Sequence, residues 1–171
     1  MIFLGIGSNL NSSFGNRFQN IRKTLNLILL NKIKINKVSS FYESPSYPDS
    51  SKPPFINIVI NIDYKNGPKD LLNEISIIEK SLGRVRKIKN EPRTCDIDII
   101  DFNGIVIEDE TLVLPHPKAD KRNFVLYPLK EIKDNWIHPI NNKKINDLID
   151  NLDFKTSNEI TRLTESVILD T

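Results

Sequence analysis

The sequence predicts an α+β fold, an antiparallel sheet with helices packed on one face. Three observations carry that expectation. Strand-like and helix-like hydrophobic periods alternate in a β-α-β-β-α-β order up to about residue 102. The stretch FINIVINIDY alternates strictly, with Phe55, Asn57, Val59 and Asn61 on one face and Ile56, Ile58, Ile60 and Ile62 on the other. Two apolar stripes at helical spacing separate the strands: Phe14, Phe18, Ile21, Leu25 and Ile28, then Leu71, Ile75, Ile78 and Leu82.

Taken in order, IFLGIG at residues 2–7 reads as a short buried strand. Ser12 or Ser13 suits the N-cap of the first helix. KINKVSSFYES is strand-like and ends at Ser44-Pro45, and PDSSKPP is a turn-rich loop before the alternating strand. Asn66-Gly67 makes a turn, Pro68 suits the first position of the second helix, and Gly83 stops it. A basic loop, RVRKIKNEPR, leads into the strand within PRTCDIDIIDF, and Asn103-Gly104 reads as a hairpin turn into IVI. This is the split βαβ, ferredoxin-like arrangement. The loop LPHPKADKRNF follows, then a helix through VLYPLKEI that Pro128 should kink or delimit, and another helix near KKINDLIDNL. The chain reads as a single domain over residues 1–171, with about 153–171 a C-terminal extension to which the pattern assigns no element.

A chain of 171 residues suits one domain, which buries roughly 70% of its unfolded surface. With 39% apolar and 27% charged residues, it is expected to be globular rather than disordered. No apolar run approaches the ~20 residues that span a bilayer. The start has no basic segment or small-residue cleavage site, so no signal peptide is expected. The single cysteine, Cys95, leaves no internal disulfide framework and points to a reducing cytoplasm. A net charge of +2 is too weak to argue for nucleic acid.

Within the DIDII strand, alternation puts Asp96 and Asp98 on one face and Cys95, Ile97 and Ile99 on the other. Two carboxylates leaning to ~5 Å repel by about 3 kcal/mol at an effective dielectric of 20 and by under ~1 kcal/mol in water. The pair is therefore either a wet strand face or a divalent-metal site. Hard oxygen ligands on a rigid strand suit Mg²⁺, which keeps waters and substrate phosphates as its remaining ligands. Arg84, Arg86, Lys87, Lys89 and Arg93 crowd the loop just before the pair, and His116 and Arg122 add donors on a later loop. Such cations are the partners a metal-bound polyphosphate requires, which favours phosphoryl transfer.

At this point the chain resembles a known family, the 6-hydroxymethyl-7,8-dihydropterin pyrophosphokinases of folate biosynthesis. The resemblance runs to about residue 140 and is carried by GIGSNL, VSSFYESP, FINIVINI, GRVRK, PRTCDIDII and LPHPKADKRNFVLYPL, in family order. It implies a ferredoxin-like enzyme that moves the terminal diphosphate of ATP to a pterin hydroxymethyl group and releases AMP. It further implies that Asp96 and Asp98 bind two Mg²⁺ and that Arg84 and Arg93 act on the phosphates. Arg86, Lys87, Ile99, His116 and Arg122 match nucleotide-contacting positions. Phe55 and Phe124 match the rings that sandwich the pterin, Asn57 the amide on its polar edge, and Ser44, Pro45 and Tyr47 the rest of that pocket. ATP is then a co-substrate, and the protein a monomer without nucleic-acid or membrane partners.

Lys89, Asn90 and Glu91 stand where the family commonly has Arg-Trp-Gly, which implies weaker closure over substrates and slower turnover. Two other functions remain. One is a non-catalytic ferredoxin-like module binding nucleotide or RNA, although the aromatic motifs of RNA-binding sheets are absent. The other is a scaffold that has lost activity. GIGSNL lacks the third glycine of a dinucleotide fingerprint, so Gly5 and Gly7 read as sites of close packing. Glu79 reads either as an anchor for the basic loop or as a solvated helix position. His138, after Trp136 and before Pro139, reads as structural.

Overall fold

The structure, a computed structural model, describes residues 1–46, 49–83 and 94–167. Its main sheet holds β1 (Ile2–Ser8), β2 (Lys34–Val38), β3 (Tyr42–Ser44), β4 (Phe55–Asp63), β5 (Asp96–Phe102) and β8 (Thr161–Arg162). The order is β5-β1-β4-β3-β8, with β2 also on β4, and every pairing is antiparallel. The helices are α1 (Arg17–Leu30), α2 (Pro68–Ser81), α3 (Asn123–Ile132), α4 (Ile145–Asp150) and α5 (Phe154–Asn158). The order follows the predicted β-α-β-β-α-β with one strand more, since β2 and β3 both stand where a single strand is expected. Among the described residues, no helix is long and apolar enough to cross a membrane.

Two apolar layers flank the sheet. On one side Ile2, Leu4, Ile6 and the four alternating isoleucines of β4 pack against Ile21, Leu25 and Ile28 of α1 and Leu71, Ile75 and Ile78 of α2. The other side carries Phe3, Val59 and Ile100, which cannot be left to water, and α3 covers them with Val125, Leu126 and Leu129. The expectation of helices on a single face thus holds for α1 and α2 only. The C-terminal third supplies a second layer.

Several local expectations are corrected. The N-cap of α1 is Asn16, not Ser12 or Ser13. Asn16 accepts from the backbone N–H of Phe18 and Gln19, and Gln19 reaches back to the Asn16 N–H in a capping box. Ser12 instead forms a tight turn with Gly15, whose φ of +123° suits glycine, so Phe14 lies outside the helix and is exposed. The stretch at residues 34–44 is two strands, because Ser39 turns its hydroxyl to the Val59 N–H and breaks the ladder between β2 and β3. Asn103 and Gly104 do turn, with φ of +55° and +72°, but the chain beyond does not return along β5. Asp109 accepts from Thr111 and Leu112 and closes a separate ribbon of β6 (Ile107–Glu108) and β7 (Val113–Leu114). α3 continues through the buried Pro128 to Ile132. The extension holds α5 and the edge strand β8.

Trp136, to which the sequence pattern assigns no role, has a specific structural one. Its indole N–H donates to Asp101 at 2.8 Å, and the Gly104 N–H donates to the other oxygen at 2.8 Å. Asp101 is buried, so these donors replace its water. Replacing Trp136 by phenylalanine should destabilise the fold by about 2 kcal/mol in urea unfolding, because a buried acceptor loses a partner. A change below ~0.5 kcal/mol would mean that Asp101 is hydrated in place of the indole.

Candidate active site

The site is built on the sheet face that bears α3, at the end where α3 begins. Strand register sets its plan. Gly7 of β1 lies opposite Asn57 of β4 on one side and Asp96 of β5 on the other. Asn57, Gly7 and Asp96 therefore form one row across three strands, about 10 Å from end to end at the usual strand spacing. Gly5 and Asp98 occupy the next row on the same face. The glycines keep the floor low. A Cβ on Gly7 would stand 3.2 Å from Asn57 Oδ1 and 3.5 Å from the Phe55 ring, and one on Gly5 would stand 3.3 Å from Ile100.

At the amide end, Asn57 is buried and its Nδ2 donates to Ser44 Oγ at 2.9 Å and, more weakly, to the Tyr42 carbonyl at 3.4 Å. Ser44 pairs with Phe55 in the register, so hydroxyl, amide and ring stand together. Pro45 follows, exposed. Asn9 was not singled out from the sequence, yet its Nδ2 donates to Ser46 Oγ (3.2 Å) and the Pro53 carbonyl (3.1 Å) and ties the two ends of the loop beside Phe55. A buried asparagine after a strand gives no sequence signal that separates this role from a surface turn.

At the carboxylate end, Asp96 and Asp98 share the open face while Ile97 and Ile99 enter the helix-side core. Cys95, on the face opposite the aspartates as the alternation predicts, lies in that core beside the Thr24 hydroxyl. Ile99 is matched to a nucleotide position, but its side chain is on the core side, so only its main chain is available there. Glu79 is not solvated. It is 2% exposed and accepts from the Ile97 N–H at 2.8 Å, bracing the strand between the two aspartates. A β-bulge follows at Ile100, which is extra relative to β1 because Leu4 faces Ile99 and Phe3 faces Asp101. The Ile100 carbonyl accepts from the His116 N–H at 2.9 Å and brings that loop to the aspartates.

His116 Nε2 and Arg122 Nη1 lie 3.8 and 3.7 Å from Asp98 Oδ2. Arg122 also lies over the Phe124 ring, 5.4 Å from its centroid. His116 is not an ion-pair partner despite its approach to Asp98. Burial first, and then Arg122, push its pKa down to about 4, against the opposing pull of Asp96. Its Nδ1 accepts from the Lys118 N–H at 3.1 Å, so the proton of the neutral ring sits on Nε2 and faces Asp98. The 3.4 Å contact from Arg122 to Nε2 then joins two donors and is not a hydrogen bond.

The structure thus brings together Asp96, Asp98, His116, Arg122, Phe124, Phe55, Asn57 and Ser44. Tyr47, Arg84, Arg86, Lys87 and Arg93 lie outside the described residues, as do Lys89, Asn90 and Glu91. Among the described residues, no cluster of three or more His, Cys, Asp or Glu side chains forms a metal cage.

The model of the 7,8-dihydro-6-hydroxymethylpterin-pyrophosphokinase family matches residues 3–134. The chain belongs to this family. It is 38% identical over 144 residues to the 2-amino-4-hydroxy-6-hydroxymethyldihydropteridine pyrophosphokinase of Aquifex aeolicus, covering 84% of this chain and 87% of that one. It is 37% identical over 139 residues to the folic acid synthesis protein fol1 of Pneumocystis carinii, covering 81% of this chain but 18% of that protein. Among solved structures it is similar to a triple mutant of HPPK-DHPS from Plasmodium falciparum, with a TM-score of 0.70 at 15% identity, over 94% of this chain and 46% of that one. This pyrophosphokinase-family chain therefore spans less than a fifth of the fol1 protein and less than half of the Plasmodium chain.

With only two histidines in the chain, their ionisation is separable by NMR. His116 should titrate near 4, and His138, which burial also lowers, below the ordinary value of 6.5. An unfolded histidine binds its proton near 6.5, so stability should rise with pH from about 4 to 6.5 and fall on acidification through that window. A His116 midpoint at or above 6.5 would mean that Asp98, not burial, governs the ring.

Proposed function

We propose that the chain transfers the terminal diphosphate of ATP to the hydroxymethyl group of 6-hydroxymethyl-7,8-dihydropterin, releasing AMP; relatives named as pyrophosphokinases of this hydroxymethyldihydropteridine support the reading. The observation that carries this reading is the Asn57-Gly7-Asp96 row. On this reading a flat amide-like heterocycle lies at the Asn57 end and the carboxylate pair stands beside it, with a glycine between them. A pterin needs stacking surfaces and a paired donor and acceptor at its edge. Phe55 and Phe124 supply the first, and the Asn57 amide beside Ser44 supplies the second.

The donor set also fits Mg²⁺. Two carboxylates on one rigid strand, with Asp98 43% exposed, leave most coordination positions to water and phosphate, which is how Mg²⁺ is usually held. Asp96 and Asp98 would hold it, in two sites, and bound Mg²⁺ would neutralise charge on the triphosphate. The remaining work belongs to the chain. Asn57, Ser44 and the two phenylalanines orient the pterin so that its hydroxymethyl oxygen extends over Gly7. That oxygen attacks the β-phosphorus, the bond from the β-phosphorus to the oxygen bridging to the α-phosphorus breaks, and AMP leaves with that oxygen. The hydroxyl proton passes to solvent, and no side chain is assigned as its base. The His116 Nε2–H and the Arg122 guanidinium donate to phosphate oxygens, and Arg84 and Arg93 are assigned the same work, with Arg86 and Lys87 as further phosphate contacts. Positioning and charge neutralisation carry the rate.

The module reading has less support. RNA-binding sheets stack bases on an open face, and here α3 covers much of that face at Phe3, Val59 and Ile100. The same proposal makes the chain one domain and a cytoplasmic monomer without nucleic-acid or membrane partners.

Incubation with ATP, Mg²⁺ and hydroxymethyldihydropterin should give AMP and the pterin diphosphate, and chelation should stop it. Asp98→Ala should lower turnover by about 100-fold or more at saturating Mg²⁺. ADP as the product would make the chain a simple kinase, and near-normal turnover of Asp98→Ala would contradict the role given to the carboxylate pair.

A further inference from the structure

We infer that Glu131 is a positioning residue for the heterocycle pocket: its carboxylate, gripped by β3 and the C-terminal segment, sets the spacing between α3, which carries Phe124, and the strands that carry Ser44 and Asn57. The inference rests on the proposed function, because it concerns the same pocket.

Glu131 lies in the last turn of α3. Its Oε1 accepts from Ser40 Oγ at 2.8 Å and from Arg162 Nη2 at 2.9 Å. Its Oε2 accepts from the Ser40 N–H and from the Tyr42 hydroxyl, each at 3.0 Å. Both oxygens are thus used twice, which holds the carboxylate in one orientation. Phe124 stands seven residues earlier on the same helix, so the two side chains share one face about two turns apart. On the strand side, Tyr42 is the register partner of Asn57, whose amide also reaches the Tyr42 carbonyl. A continuous path of hydrogen bonds and rigid elements therefore runs from Asn57 through Tyr42 and Glu131 to Phe124, from one wall of the pocket to the other.

The C-terminal segment supports this path from outside. β8 pairs with β3, with Arg162 opposite Tyr42, and Arg162 also donates to Ser40 Oγ. Further along, Glu165 and the Ser166 carbonyl accept from Arg22 of α1. Stability alone does not require such a cluster. Apolar packing already fixes α3 on the sheet, and a partly buried charge is weak evidence for stability while it does fix orientation. The Tyr42 phenol remains a donor throughout the working range, since burial and then the neighbouring Glu131 carboxylate push its pKa up to about 12.

The test is steady-state kinetics of the full chain and its Glu131→Gln and Tyr42→Phe variants, varying each substrate with the other saturating, together with thermal unfolding. Glu131→Gln should raise the pterin KM about tenfold and leave the ATP KM within about twofold. Tyr42→Phe removes one of the four donors and should raise the pterin KM about threefold, again without the ATP KM. A lower melting temperature with both KM values unchanged would overturn the inference, as would an equal rise in both. If Glu131→Gln does not fold, Tyr42→Phe decides, and an unchanged pterin KM overturns it. A wild-type chain that forms no AMP overturns the proposed function instead, before any variant is made.

Discussion

The site depends on the double pairing of β1. This strand is hydrogen-bonded to β4 on one side and β5 on the other, and its Gly7 falls where the two neighbours bring an amide and a carboxylate to the same level. Side-chain parity then does the rest. A shift of one residue on either side would send Asn57 or Asp96 into the isoleucine-rich core and raise an isoleucine into the site. That core fixes the register, because four alternating isoleucines of β4 can be buried against α1 and α2 in only one phase. The chemistry on one face is thus secured by hydrophobic burial on the other.

A second constraint is how the polar groups near the site are satisfied. Glu79 braces the strand at Ile97, the Ile100 carbonyl holds the His116 loop, Asp101 is locked by Trp136, and Asn9 cinches the loop beside Phe55. No side-chain nitrogen or oxygen buried among the described residues lacks a partner. These supports lie one step behind the groups that face the site, and they turn a sheet face into a preorganised one.

The alternating residues of β4 and of β5 up to Ile99 were legible from the sequence, because strand parity is local. So were the stop at Gly83, the stripe of α2 and that of α1 from Phe18 onward, though not Phe14, which lies before the helix and is exposed. The bulge at Ile100 was not, since nothing in DIDIIDF distinguishes a continuous strand from one that gains a residue against its partner. It moves Asp101 to the α3 side and returns Phe102 to the helix-side core, against simple alternation. The Asn16 cap lost to Ser12 and Ser13 in the sequence because all three residues can cap, and only the positive φ at Gly15 decides among them. The β6-β7 ribbon was hidden because the turn chemistry of Asp109 outcompetes pairing with β5. Glu131 gave no signal at all: its partners Ser40, Tyr42 and Arg162 are distant in sequence, and a glutamate near a helix end is ordinarily solvated. The crowding of cations before the aspartates is visible in the chain, whereas the individual roles expected of Arg84, Arg86 and Arg93 come from the family resemblance.

The central claim is that metal-bound nucleotide and heterocycle meet across Gly7. Mn²⁺ with a non-hydrolysable ATP analogue tests it directly, by paramagnetic broadening of assigned NMR signals. Broadening should be strongest at Asp96 and Asp98, reach the Gly7 amide and the Asn57 side-chain amide about 10 Å away, and vanish in the Asp96→Asn, Asp98→Asn double variant. Broadening centred elsewhere, or unchanged in that variant, would contradict the account.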